Sequence, residues 1–95
     1  MTITYDPNKR LATLRERGLD FERAAEVLDG DVVVWPDERF DYGELRVVAI
    51  GFLGGRMVVV VWTPRGEARH IISMRKANAR EQAHFGKQFA EDRRN

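Results

Sequence analysis

Between Leu45 and Met74 the chain carries three runs rich in β-branched and aromatic residues, Leu45–Phe52, Met57–Thr63 and Arg69–Met74, each bounded by turn residues. Val, Ile, Phe and Trp suit a pleated, half-buried surface, while Gly54-Gly55 and Thr63-Pro64-Arg65-Gly66 provide the backbone geometry of tight turns. Successive strands joined this closely pair with one another, which predicts a three-stranded antiparallel meander over residues 45–74. Any other element has to pack on that sheet. Val32–Trp35 supplies a further strand, and the polar segment Pro36–Gly43 after it is a longer loop that leaves the pairing of this strand open.

Helix signals flank the strands. Asp6 can accept backbone N–H bonds as an N-cap and Pro7 loses no needed donor at the first helical position, so a helix is expected from there to Arg17, stopping at Gly18. Asp20 opens a second, short helix that turns Phe21, Ala24, Ala25 and Leu28 inward before Asp29-Gly30 ends it. Asn78-x-x-Glu81 has the form of a capping box and opens a last helix, with Phe85 and Phe89 one turn apart on its inner face. The expected fold is a single α+β domain over residues 1–95. It has two N-terminal helices, an antiparallel sheet of about four strands and a C-terminal helix.

The longest apolar run, Met57–Trp62, is far short of the roughly 20 residues that cross a bilayer, so no membrane span is expected. The opening MTITYDPNKR lacks the apolar core of a secretory signal, and the chain has no cysteine, which fits a reducing cytoplasm. A net charge of +1 conceals a separation: residues 1–55 hold 7 Lys or Arg against 11 Asp or Glu, and residues 56–95 hold 9 against 4. The basic half is the plausible anion-facing side, whereas a general DNA-coating protein would be basic throughout.

In RHIISMRKANARE, residues 69–81, a strand delivers Arg75 and Lys76 to the mouth of a helix, and fixed cations at such a junction suit a phosphate. Regular alternation would put Arg69, Ser73 and Arg75 on one face, able to line a groove with Arg46 or Arg56 from neighbouring strands. His70, Ile72 and Met74 would share the opposite, more apolar face, making His70 a half-buried sheet residue unless it serves as an acid or base. His84 and Glu81 are further titratable groups on the last helix, Glu81 having a structural use as cap partner. Lys9 and Arg17 fall near one face of the first helix, which is either a solvated face or, with Arg56, Lys76 and Arg80, a set that meets nucleic acid. Trp35 and Trp62 either pack in the core or stack bases. No HExxH, cysteine pair or ligand-spaced carboxylate cluster points to a metal, and the glycines lack the Lys-Ser or Lys-Thr of a phosphate loop, so neither metal nor cofactor is expected.

Four segments in order, Asp6-Pro7-x-Lys9, Gly18-x-x-Phe21-x-x-Ala24, Tyr42-Gly43-Glu44-x-Arg46 and Ile71-Ile72-Ser73-x-Arg75-Lys76-Ala77 with Glu81, make the chain resemble the BrnT-type ribonuclease toxins of bacterial toxin–antitoxin pairs. The resemblance covers Tyr5 to about Phe85. It implies a RelE-like fold, RNA cleavage, and neutralisation by a BrnA-like antitoxin with a ribbon-helix-helix DNA-binding part, in a hetero-oligomer. Where such toxins usually carry His, this chain has Arg17 and Phe40, and His70 stands where they commonly have Arg. Metal-free RNA cleavage needs a base for the 2′-OH, stabilisation of the phosphorane and a proton for the leaving 5′-oxygen. Arg75, Arg46 and Arg69 suit the second task, and arginine is too weakly acidic to serve the first. The base is open among His70, His84, Glu44, Glu81 and Tyr42. Two alternatives stand beside the ribonuclease: a catalytically weakened relative that mainly binds its antitoxin, and a small RNA-binding module.

Overall fold

The computed structural model describes residues 2–94, with the side chains of residues 2–91. In chain order the elements are β1 (Ile3–Tyr5), α1 (Pro7–Arg17), a 3-10 turn (Phe21–Arg23) leading into α2 (Ala24–Leu28), β2 (Val33–Pro36), β3 (Val47–Leu53), β4 (Arg56–Arg65), β5 (Ala68–Lys76) and α3 (Ala79–Arg94). The strands form one sheet in the order β1-β5-β4-β3-β2. The expected meander is β3-β4-β5, and β2 adds antiparallel to β3.

The expectation of about four antiparallel strands needs correction. The sheet has five, and it is mixed, because β1 runs parallel to β5 with Ile3 opposite Arg69 and Tyr5 opposite Ile71. Ile-Thr-Tyr is too short to announce a strand, and its partner lies at the far end of the sequence. The β4–β5 turn is also shifted. Pro64 and Arg65 remain in β4, leaving Gly66-Glu67 as the connection. Pairing of β3 with β4 ends at Trp62, so the N–H that Pro64 lacks is not missed on that side.

The helix ends follow the sequence signals. Asp6 accepts the N–H of Asn8 at 2.9 Å, and Gly18 closes α1 in the left-handed conformation at φ 69° with its N–H on the Leu14 carbonyl. Asp20 accepts the N–H of Glu22 and also takes Arg10 through Nε and Nη2 at 2.8 and 3.0 Å, tying α1 to the next turn. Asn78 and Glu81 make the reciprocal capping box, at 2.8 and 2.9 Å.

Helices cover both faces of the sheet. On one, Phe21, Ala24, Val27 and Leu28 pack against Ala49, Val58, Val60, Ile71 and Met74. Ala25, expected inward, is only half-buried, and Val27 is the fully buried residue of that turn. On the other face Phe89 packs with Ile50, Met57, Val59 and Ala77, and the half-buried Phe85 joins them.

One irregularity decides which side chains share a face. Val61 pairs with Ser73, but Trp62 pairs with Ile71, so Ile72 is an extra residue, a β-bulge. Ser73 and Arg75 lie opposite Val61 and Val59 on the α3 face, while Ile71 joins Met74 in the core under α2. Beyond the bulge the alternation is inverted.

Candidate functional site

On the α3 face a cleft of about 580 Å³ opens between the sheet, the start of α3 and the loop after β2. Its floor is Val48, Val59 and Val61; Ser73 and Arg75 of β5 form one wall with Glu81 of α3, and Trp35 through Arg39 form the other. An apolar floor edged by two guanidinium groups and three carboxylates offers a ligand both apolar surface and charged partners.

Arg75 reaches Glu81 as a fork, Nη1 to Oε1 at 2.7 Å and Nη2 to Oε2 at 2.8 Å. Glu81 therefore has two uses, since the same carboxylate caps α3 at the Asn78 N–H. The Arg75 fork is the main cause that holds the Glu81 carboxyl below its ordinary range, with the cap bond adding to it.

The opposite rim is built around Asp37, whose side chain is only 3% exposed. It accepts Arg39 through Nε and Nη2, both at 2.9 Å, and the Tyr42 hydroxyl at 3.2 Å, while its own N–H bonds the Arg46 carbonyl. Arg39 is the main reason the Asp37 carboxyl is held at about 2. The Arg39 charge also works against that of Arg75, so the two guanidinium groups feel each other across the cleft. Arg39 is 72% exposed on the rim, its guanidinium held to Asp37 by the two-point fork.

The structure brings together only part of the expected set. Arg75 and Ser73 line the cleft, but the bulge corrects the shared face proposed for Arg69. Opposite Pro64, Arg69 follows Trp62 onto the α2 side, where its guanidinium lies 4.8 Å from the indole centroid. Arg46 is next to the cleft but does not line it; its guanidinium stacks on Tyr42 at 3.9 Å, with Glu44 at 3.6 Å, and its Nε is buried without a hydrogen-bond partner. Arg56 is exposed at the β3–β4 hairpin, away from the cleft lining.

His70 is likewise moved from the face expected for it. It no longer shares the side of Met74; it pairs with Thr63 and its Nδ1 is 2.9 Å from the Thr4 hydroxyl oxygen, outside the cleft lining. Burial, then the nearby Arg65, lowers its pKa. His84 is exposed on α3, its ring edge-on to Phe85. Lys9 is exposed on α1, and Arg17 donates to the Met74 carbonyl at 3.0 Å, which docks α1 on β5. Lys76 and Arg80 are exposed at the β5–α3 junction beside Arg75. Among the described residues, no three His, Cys, Asp or Glu side chains cluster as a metal site would require, and no helix is long and apolar enough to cross a membrane.

Asp37 and Arg39 were not singled out from sequence, because Pro36–Gly43 looks like a polar spacer. The available cue is an acid and a base two residues apart directly after a strand ending in Trp-Pro.

Fold and cleft together define a small α+β protein with an arginine–carboxylate site on one sheet face. A family model for BrnT, the ribonuclease toxin of type II toxin–antitoxin systems, matches residues 5–81, and the chain belongs to that family. The matched span contains every residue of the cleft. Comparison with curated proteins gave no match.

Proposed function

We propose that the protein is a metal-independent endoribonuclease that cuts RNA in the cleft between Arg75 and Arg39. The observation that carries this is the Arg75–Glu81 fork on an apolar floor, a phosphate-shaped donor pair already engaged by a carboxylate. A scissile phosphate takes the place of Glu81 on Arg75, with Arg39 closing from the opposite rim. Losing Arg75 removes the main cause of the low pKa of Glu81, so its carboxylate becomes the stronger base just as the phosphate arrives. Glu81 then takes the 2′-OH proton, the 2′-oxygen bonds to phosphorus, and the bond to the 5′-oxygen breaks. The 5′-oxygen is protonated by solvent at the cleft mouth, and the products are a 2′,3′-cyclic phosphate and a 5′-hydroxyl. Of the residues expected from sequence, Arg75 carries the phosphate; Lys76 and Arg80 extend the basic surface along the RNA.

Neutralisation fits the same site. Phe40 and Leu45, 67% and 57% exposed, stand on the loop that forms the cleft rim. A BrnA-like, ribbon-helix-helix antitoxin that covers them in a cytoplasmic hetero-oligomer would close the cleft. The test is incubation of purified protein with a labelled RNA oligonucleotide in the presence of excess chelator, with and without the antitoxin. Cleavage to a cyclic-phosphate end that survives chelation and stops on antitoxin addition is the expected result. An intact oligonucleotide would leave a partner-binding relative without ribonuclease activity as the better description.

A further inference from the structure

We infer that Trp35 is a stacking platform for one nucleobase, so that the cleft binds a nucleotide unit through its base as well as its phosphate; this rests on the ribonuclease function proposed above. The cleft volume, about 580 Å³, lies within the roughly 300–1,000 Å³ of sites that hold whole small molecules and is far more than one phosphate group needs. Its polar groups and apolar floor are separated: Arg75 and Arg39 supply the anion-binding edge, whereas Val48, Val59 and Val61 offer nothing to a phosphate. An apolar surface beside an anion site suits the flat face of a base.

Trp35 is prepared for that contact. Phe85 lies parallel to its ring, with centroids 5.3 Å apart and 5° between planes, which fixes the indole before any ligand arrives. Trp35 is only half-buried, and it is one of the residues that line the cleft. Both indoles pack against a core cluster, Trp35 on the α3 side and Trp62 on the α2 side, but Arg69 covers the Trp62 ring, whereas Trp35 lines the cleft. Stacking favours no particular base strongly, because every base has a π face.

The experiment is a fluorescence titration of the intact protein with adenosine 3′-monophosphate, ribose 5-phosphate and inorganic phosphate, run on wild type, Trp35→Phe and Trp35→Leu, with circular dichroism to verify folding. Wild-type emission should be quenched by the nucleotide and not by the two ligands that lack a base. Trp35→Phe, left with Trp62 as its only indole, should lose the quenching while binding the nucleotide within a few-fold of wild type by calorimetry. Trp35→Leu should bind it about 5- to 150-fold more weakly, the range for loss of one base–aromatic stack. Equal affinity of Trp35→Leu and wild type for the nucleotide, or equal affinity of wild type for all three ligands, would overturn the inference. Because binding is read without turnover, a protein that binds the nucleotide through Trp35 but cuts no RNA would refute the ribonuclease and leave the base site standing.

Discussion

Replacing Arg75 with Ala separates the phosphate-binding role of this residue from its part in the fold. Its side chain is 43% exposed and that of its partner Glu81 is 21% exposed. Open ion pairs contribute about 0–1 kcal/mol and shielded charged hydrogen bonds about 1.5–3 kcal/mol, so this half-shielded fork should contribute about 1 kcal/mol to stability. For a domain of this size that is a fall in Tm of about 4–8 °C. The helix cap survives, because Asn78 N–H stays on Glu81. Catalysis loses more: removing one donor from a developing oxyanion costs about 2.7–4 kcal/mol, a drop in kcat of about 10²–10³. Cleavage of an RNA oligonucleotide under single-turnover conditions and thermal denaturation followed by circular dichroism measure the two effects independently. Arg75→Lys retains the charge without the fork, so it should regain most of the Tm and only part of the rate. Folded Arg75→Ala protein that cuts RNA within about threefold of wild type, under 1 kcal/mol of barrier, would refute the role of Arg75 in the cleft.

Glu81→Gln keeps a side chain that can still cap α3 but removes the carboxylate that competes for Arg75; phosphate affinity should rise while kcat falls, and a rate equal to wild type would exclude Glu81 as the base. Stability should also depend on acid pH, since Arg39 holds the Asp37 carboxyl at about 2 and Arg75 lowers that of Glu81, both beneath their unfolded values near 4. Such groups favour the folded state above about pH 4 and lose that contribution as pH falls toward 2, so urea midpoints should decline over this interval and decline less in Asp37→Asn. His70→Gln should leave the pH–rate profile unchanged, because His70 lies outside the cleft lining beside Thr4; loss in this variant of a limb lying below the ordinary imidazole range would return it to the mechanism. Gly51→Ala would put a Cβ 2.9 Å from Val32 Cγ1 and 3.0 Å from Val27 Cγ1, which should destabilise by about 1–3 kcal/mol in chemical denaturation without altering the cleft.

What could be read from the sequence was whatever local chemistry determines. Asp6, Gly18, Asp20 and the Asn78–Glu81 box each satisfy backbone groups within a few residues, so their effect on the helix ends needs no knowledge of the rest of the chain. The Gly54-Gly55 hairpin is equally local, both residues having positive φ. The pairing of β1 with β5 is not, because it joins residues 66 apart such as Ile3 and Arg69 and leaves no mark near either. The Asp37–Arg39 rim was hidden for another reason: polar loop residues look alike until burial of one carboxylate makes its partners obligatory.

The bulge at Ile72 links core and site in a way that alternation alone could not reveal. Ile71 and Met74 are 1% and 0% exposed in the same core, although residues three apart on a regular strand point to opposite faces. The core under α2 gains both side chains only if the strand carries one extra residue between them, and Ile72 is that residue. Its insertion turns every side chain before it to the other face. Arg69 thereby leaves Ser73 and Arg75 for the indole of Trp62, and His70 moves to the side opposite Ile71. Packing on one face of the sheet thus determines which cation remains in the cleft on the other, and it makes a testable demand: deleting Ile72 should leave regular alternation with Ile71 and Met74 still in the core and Arg69 still beside Trp62, whereas straightening the strand with Ile72 retained would bring Arg69 onto the cleft face only by taking Ile71 out of the core.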